Sequence, residues 1–166
     1  MSTLLTGILL CHGHSFTREF PNILPRNVNW IQVDLDPTAE PDIIADVANI
    51  KDLVNKLGKN RYDYVVDYHC PSTRALNRTL KNAGVLLKDN GKFILLKGVT
   101  HLLLLMTMIT GTDLHVIMED YMNREEGIIG YIEHMLGTMS EEAGYKSWFI
   151  PNDENNQPGK HVIFTK

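Results

Sequence analysis

Residues 30–37 of the chain read Trp-Ile-Gln-Val-Asp-Leu-Asp-Pro, and residues 41–47 read Pro-Asp-Ile-Ile-Ala-Asp-Val. The apolar run Trp30 to Val33 predicts a buried strand, and Asp34 follows at its end. A carboxylate in this position can accept hydrogen bonds from two neighbouring hydroxyls, such as those of a ribose. Asp46 closes a second apolar run and could accept from an exocyclic amine such as that of adenine. We therefore interpret the two segments as half of a nucleoside site.

The composition is that of an ordinary globular protein. The chain has 166 residues, of which 43% are hydrophobic and 22% charged, and this length suits one domain with a full core. We therefore expect residues 1–166 to form a single domain. The formal net charge of -4 argues against the broad basic surface that nucleic-acid binding requires, so a nucleic-acid partner is not predicted.

The sequence also predicts a cytoplasmic location. Its two cysteines, Cys11 and Cys70, are too few for a disulfide framework, which favours a reducing compartment. The first ten residues lack the basic region and the cleavage site of a signal peptide. The most apolar run, Leu102 to Ile109, is far shorter than the roughly 20 residues of a membrane helix, so no membrane association is predicted.

Apolar strand-like runs alternate with helical patterns along the chain. The predicted strands are Gly7–Cys11, Trp30–Val33, Ile43–Ala45, Tyr62–Asp67, Lys92–Leu96, Lys146–Ile150 and His161–Thr165. The predicted helices are Phe16–Phe20, Ile50–Leu57, Thr73–Leu87 and Ile128–Ala143. Strands that alternate with helices indicate a three-layer α/β fold with a mostly parallel sheet of about seven strands. The short loop at 151–160 predicts that the last strand is antiparallel.

Polar residues follow three of these strands where the strands end. In an open α/β sheet, ligands bind outside the carboxyl ends of the strands, near the point where the strand order reverses. We therefore expect the segments Cys11–His14, Asp34–Asp36 and Asp67–Pro71 to converge on one cleft.

The order of these features resembles that of the class I S-adenosylmethionine-dependent methyltransferases, and the resemblance covers most of the chain. Its landmarks are the acidic residue Asp34, a third-strand motif at Pro41–Asp46, a fourth-strand motif at Tyr62–Asp67, a turn into strand five at Leu86–Phe93, and a lead into the closing hairpin at Glu142–Tyr145. The resemblance implies a Rossmann-like fold and a small protein that binds S-adenosylmethionine and transfers its methyl group in line to an unknown acceptor.

The resemblance also implies roles for particular residues around the cofactor. Asp34 would accept from the ribose hydroxyls, and Leu35 would pack on the adenine face. Asp46 would accept from the adenine amine, and the backbone of Val47 would meet the ring.

The resemblance further assigns the methionine half of the cofactor to the turn after the first strand, which contains His12 and Gly13. Asp67 to Pro71 would line the methyl-transfer channel, with Tyr68 and His69 on the substrate side. The channel residues begin with Asp67, which would lie next to the cofactor.

One motif departs from the family pattern. The family has a glycine-rich turn after the first strand, whereas residues 10–15 here contain only Gly13, with His12 and His14 where small residues are expected. Either the cofactor binds in an altered way, or the chain is an inactive methyltransferase-like scaffold that serves as a binding or structural subunit.

Imidazoles and thiols cluster at the same predicted edge of the sheet and raise a third alternative, a metal-dependent hydrolase. The cluster consists of Cys11, His12, His14, His69 and Cys70. These are ligand types that suit zinc, but their spacing does not match a common zinc motif. Polar residues that line a cleft are the simpler interpretation, and we assign no metal site.

Residues 100–127 are the least family-like part of the chain and predict an inserted element. The run Leu102 to Ile109 is apolar, and the segment is rich in methionine, with Met106, Met108, Met118 and Met122. Methionine suits adaptable interfaces as well as cores. Residues 100–124 are therefore our candidate for contact with a second copy of the chain or with another protein.

Overall fold

The computed structural model describes residues 4–11, 13, 23–68, 70, 76–96, 111, 113, 115–117, 119, 127–152 and 161–166. The strands are β1 (Leu5–Leu10), β2 (Val28–Asp34), β3 (Ile43–Ile44), β4 (Tyr62–Asp67), β5 (Leu87–Leu95), β6 (Ser147–Phe149) and β7 (Val162–Thr165). The helices are α1 (Ile50–Leu57), α2 (Leu76–Leu86) and α3 (Gly127–Glu142). The predicted helix at Phe16–Phe20 lies outside the described residues. Most of the predicted inserted element at 100–127 lies outside them as well.

The strands form one sheet in the order β3-β2-β1-β4-β5-β7-β6. β1 to β5 pair in parallel, and β7 is antiparallel to both of its neighbours. In the central strand β1, the side chains of Ile8, Leu9 and Leu10 are all buried. An uninterrupted buried run is typical of a parallel strand that is covered on both faces. The predicted α/β fold with a mostly parallel sheet is confirmed.

Helix α1 has the predicted bounds because sequence signals mark both of its ends. The Asn49 side chain accepts from the backbone N–H groups of Lys51 and Asp52 and caps the amino end. At the other end, Gly58 has φ +82 and its N–H donates to the Val54 carbonyl. Such a cap favours glycine, since a β-carbon is strained at positive φ.

The core contains side chains from the sheet and from the helices that cover it. Phe93 of β5 and Phe164 of β7 are fully buried and lie with their ring centroids 5.9 Å apart. Helix α3 contributes Ile132 and Leu136, which are also fully buried. None of the described helices is long and apolar enough to cross a membrane.

The start of β5 differs from the sequence prediction. We expected a helix to Leu87 and a turn before a strand that begins at Lys92, but α2 ends at Leu86 and β5 starts at the next residue. The pairing with β4 shifts register between Tyr62 and Tyr64, so residues 88–91 form an irregularity within the strand. Asn90 at φ +64 provides the turn-like conformation, and its N–H donates to the Lys166 carbonyl. A turn-like conformation is therefore present at Asn90, but the backbone pairs with β4 both before and after it, so the turn lies within β5.

Gly7 lies in β1 between two aromatic residues of the neighbouring strands. It is in register with Trp30 of β2 and Tyr64 of β4, whose ring centroids are 6.1 Å apart. A β-carbon at Gly7 would lie 2.5 Å from Trp30 Cε3 and 2.9 Å from Val28 Cγ1. The glycine therefore makes room for the indole ring.

We expect Gly7→Ala to lower the free energy of unfolding by about 1–3 kcal/mol, because the added methyl group overpacks this site. Urea unfolding measures the change. Gly137→Ala is the matched control, since its β-carbon would meet only Trp148 Nε1 at 3.6 Å. In the interior of α3 this change should stabilise the protein by roughly 0.5–1 kcal/mol. A Gly7→Ala protein as stable as the wild type would contradict the packing described.

The Asp63 side chain of β4 contacts both β1 and β5 at the amino end of the sheet. Its carboxylate accepts from the Thr6 N–H at 2.8 Å and forms an ion pair with Lys88 at 2.9 Å. Partial burial by itself would raise the pKa of Asp63. The Thr6 N–H, the Lys88 ammonium and the Thr6 hydroxyl outweigh burial and hold that pKa below its ordinary value of 3.8.

A lowered pKa makes the contribution of Asp63 to stability depend on pH. The ionised form is favoured in the folded state, so the contribution is complete above 3.8 and is lost as the pH falls through the folded pKa. We expect Asp63→Asn to be less stable than the wild type at neutral pH by about 1 kcal/mol. The gap should shrink in urea unfolding series taken below pH 3.8. A gap that does not depend on pH would argue against the carboxylate as its source.

Candidate functional site

The carboxyl ends of β1, β2 and β4 lie side by side, as expected from the sequence. Leu10, the last residue of β1, is in register with Val33 on one side and Asp67 on the other. Beyond it, the Cys11 N–H donates to the Val33 carbonyl at 2.9 Å, and the Tyr68 N–H donates to the Leu10 carbonyl at 3.1 Å. The three strand ends therefore form one continuous edge.

Asp34 ends β2 and connects two turns through its carboxylate. Oδ2 accepts from the Gly13 N–H at 3.0 Å, and Oδ1 accepts from the Asp36 N–H at 3.0 Å. A carboxylate oxygen has lone pairs for more than one hydrogen bond, so a carboxylate is suited to accept from a diol. The next side chain, Leu35, is 64% exposed, which leaves an apolar surface beside the carboxylate.

Asp46 lies beyond the end of the neighbouring strand β3. Ile44 is in register with Asp34, and the Ala45 N–H donates to the Asp34 carbonyl at 2.9 Å, so the two acidic residues belong to adjacent strand ends. Asp46 Oδ1 accepts from the Ala48 N–H at 2.9 Å, which fixes the carboxylate.

Val47, the residue after Asp46, is held against α2. Its carbonyl accepts from Asn82 Nδ2 at 2.9 Å, and Asn82 is itself buried. The segment predicted to face an adenine ring is therefore anchored by a hydrogen bond from the helix behind it.

Asp67 ends β4 and is only 2% exposed. Its Oδ1 accepts from the Cys70 N–H at 3.1 Å, which holds Cys70 close to the strand end. Tyr68 is half-buried beside it. His12, His14 and His69 lie outside the described residues, so the roles expected for them stay predictions.

Cys11 and Cys70 form a disulfide bond, with their α-carbons 4.9 Å apart. The count of two cysteines favoured a reducing compartment and did not predict this bond. The bond follows from the fold, which places the segments after Leu10 and Asp67 together. Sulfurs in a disulfide are not the thiolates that bind zinc. Among the residues that the structure describes, no group of three histidine, cysteine or acidic residues could hold a metal ion.

The turn after β1 has a left-handed backbone at two positions despite its single glycine. Cys11 has φ +55 and Gly13 has φ +58. A left-handed residue other than glycine costs roughly 1–2 kcal/mol, which the Cys11–Val33 hydrogen bond and the disulfide help to offset. A β-carbon at Gly13 would meet no described residue within 4 Å, so the described part of the chain leaves space above this turn. Space, two acceptor carboxylates and an exposed leucine fit a nucleoside-containing ligand such as S-adenosylmethionine.

A cavity of about 350 Å³ lies at the opposite, amino end of the sheet. Lys59, Lys81 and Lys166 line it together with Tyr145, whose hydroxyl donates to the Leu80 carbonyl at 2.8 Å. Burial raises the pKa of Tyr145, so the hydroxyl stays protonated. No sequence pattern indicates this cavity, because its lysines are far apart along the chain and only the fold brings them together.

No family model matches the sequence, and neither does any curated protein. Solved structures do match it. A SAM-dependent methyltransferase from Archaeoglobus fulgidus has a TM-score of 0.56 at 11% identity, over 99% of this chain and 87% of that one. The CurJ carbon methyltransferase has a TM-score of 0.55 at 15% identity, over 97% of this chain and 48% of that one, so this chain spans about half its length. A chain of a fibrillarin/Nop5p complex has a TM-score of 0.54 at 10% identity, over 98% of this chain and 71% of that one.

Similarity at these identities is a similarity of fold. It agrees with the strand order and with the antiparallel β7. The chain therefore has the Rossmann-like fold of the class I S-adenosylmethionine-dependent methyltransferases.

Proposed function

We propose that the protein binds S-adenosylmethionine at the carboxyl edge of its sheet and transfers the methyl group to an acceptor. The observation that carries the proposal is the pair Asp34 and Asp46, which lie on adjacent strand ends beside the exposed Leu35. Two fixed acceptors and an apolar surface match the diol, the amine and the ring face of an adenosine.

Each residue of the edge has one task in this proposal. Asp34 accepts from the ribose hydroxyls, Leu35 packs on the adenine, and Asp46 accepts from the adenine amine. The Val47 backbone, held by Asn82, meets the edge of the ring. These contacts would hold the nucleoside half of S-adenosylmethionine.

The turn with His12 and Gly13 borders the methionine half of the ligand. The described part of the chain leaves space above Gly13 for this half. When bound, S-adenosylmethionine supplies an electrophilic methyl group. The chain contributes mainly by placing the acceptor in line with that group, because positioning removes most of the entropic barrier.

The substrate side is assigned to the segment after β4. Asp67 is buried and holds Cys70 close to the strand end through the Cys70 N–H. Tyr68 and His69 would orient the acceptor, and the His69 imidazole would take the proton that the nucleophile loses, a role for which histidine is the side chain used most often. Residues 100–124 would complete the pocket or contact a second copy or a partner.

Isothermal titration calorimetry with S-adenosylmethionine and S-adenosylhomocysteine tests the cofactor. We expect both to bind, and adenosine alone to bind more weakly, because it lacks the methionine half. An absence of heat and of any thermal shift at millimolar ligand would leave the inactive scaffold as the better description. If adenosine bound as tightly as S-adenosylhomocysteine, the site would be a nucleoside site without a methionine pocket.

A further inference from the structure

The disulfide joins the two strand ends that border the proposed methyl-transfer channel. Cys11 directly follows β1, and Cys70 lies three residues beyond the end of β4. We propose that the pair is a reversible thiol–disulfide site, and that its oxidation state controls the affinity of the adjacent cleft for S-adenosylmethionine. The control of affinity rests on the function proposed above. The substrates of the site itself are small thiols and dithiols.

The two sulfurs differ in access. Cys70 is 5% exposed, whereas Cys11 is only partly buried. An incoming thiolate therefore attacks Cys11 Sγ, forms a mixed disulfide there and releases Cys70 as the leaving thiolate. A second thiol attacks the outer sulfur of the mixed disulfide and releases Cys11. The protein gains two electrons and two protons, and the two small thiols lose them and leave as one disulfide.

Both cysteines are connected to the carboxylates of the candidate site. The Cys70 N–H donates to Asp67, which begins the proposed channel. Gly13, two residues after Cys11, donates its N–H to Asp34, the proposed ribose acceptor. A change in the position of either cysteine is therefore passed directly to a residue that would contact ligand.

The bridged form is the one that is organised for binding. Cys11 has φ +55, a conformation that a residue other than glycine leaves readily unless it is restrained. The bridge to Cys70 is such a restraint. Reduction allows Cys11 to return to a negative φ, which moves the Gly13 N–H away from Asp34 and disorders the turn. If the reduced turn keeps its binding conformation for about a tenth of the time, the dissociation constant rises about tenfold.

Calorimetric titration of S-adenosylhomocysteine into oxidised protein and into protein reduced with dithiothreitol measures this effect. Alkylation with iodoacetamide followed by mass spectrometry counts free thiols, which should number none before reduction and two after it. The chain contains only these two cysteines, so any effect of the reductant on thiols belongs to this pair. The double variant Cys11→Ser/Cys70→Ser should bind like the reduced wild type and should not respond to dithiothreitol.

Cys11→Gly provides a second test that does not depend on the double variant. Glycine adopts φ +55 without strain, so this variant should keep the turn without the bridge. We expect it to bind nearly as tightly as the oxidised wild type and to be insensitive to dithiothreitol. Circular dichroism melts verify that each protein is folded at the temperature of the titration.

Each outcome decides the proposal. Binding about tenfold weaker after reduction, restored by reoxidation, supports it. Equal or tighter binding after reduction, with two thiols counted, overturns it and leaves the proposed function standing. Two free thiols in the untreated protein overturn it as well. Binding in neither state removes the proposed function and this inference together.

Discussion

Asp34→Asn is expected to weaken the binding of S-adenosylhomocysteine about 10- to 100-fold, because hydrogen bonds to a charged acceptor contribute about 1.5–3 kcal/mol. An asparagine has one acceptor oxygen and no charge, so it cannot accept from both ribose hydroxyls and from the Gly13 and Asp36 N–H groups. Titration calorimetry measures the change, and S-adenosylhomocysteine is preferred because it does not react.

Asp42→Asn is the matched control for this substitution. Asp42 also accepts from a backbone N–H of β2, that of Gln32 at 2.7 Å, but it precedes β3 rather than following it. We expect its loss to leave the affinity unchanged. If Asp34→Asn bound as tightly as the wild type while remaining folded, the ligand would have to bind elsewhere, and the lysine-lined cavity at the amino end of the sheet would be examined next.

Phe164→Ala is expected to lower the free energy of unfolding by about 3–5 kcal/mol, the usual cost of removing a buried aromatic ring. Phe164 is 1% exposed, and its ring centroid lies 5.9 Å from that of Phe93 and 5.6 Å from that of Tyr145. Domains have a total stability of only about 5–15 kcal/mol, so a fraction of this variant should unfold near room temperature. Urea unfolding measures the change.

Ile163→Ala is the control within the same strand. Ile163 is only partly buried and packs on the opposite face of the sheet, beside a smaller group of apolar residues. Ile163→Ala should lower the free energy of unfolding clearly less than Phe164→Ala does. Equal costs would mean that the larger core does not centre on the Phe93 and Phe164 rings.

The sequence predicted those parts of the fold whose signals are local. Helix α1 has the predicted bounds because Asn49 and Gly58 flank a regular apolar pattern. The strands β1, β2 and β4 were placed because continuous apolar runs are rare outside a covered sheet. Asp34 and Asp46 were identified because each closes such a run.

The features that the sequence missed depend on contacts between distant segments. Whether Cys11 and Cys70 can bond is decided by the register between β1 and β4, which no local pattern contains. The Lys166 side chain reaches the Asn60 side chain and the Leu87 carbonyl, a contact that exists only once β7 has paired with β5. Leu87 was assigned to a helix because an apolar periodicity does not show where a chain passes from helix to strand without a linker.

The disulfide also has a topological consequence for the unfolded chain. The cysteines are 59 residues apart, and the residues proposed to contact the nucleoside, Asp34, Leu35, Asp46 and Val47, lie between them in the sequence. When the bond is closed, this segment remains a covalent ring even after the fold is lost. Because a ring of this size has less conformational entropy than an open chain, the bond raises the free energy of the denatured state by about 4 kcal/mol. The ring contains β2, β3 and β4, which can therefore refold from a restricted search, whereas β1, β5, β6 and β7 must join the sheet from outside the ring.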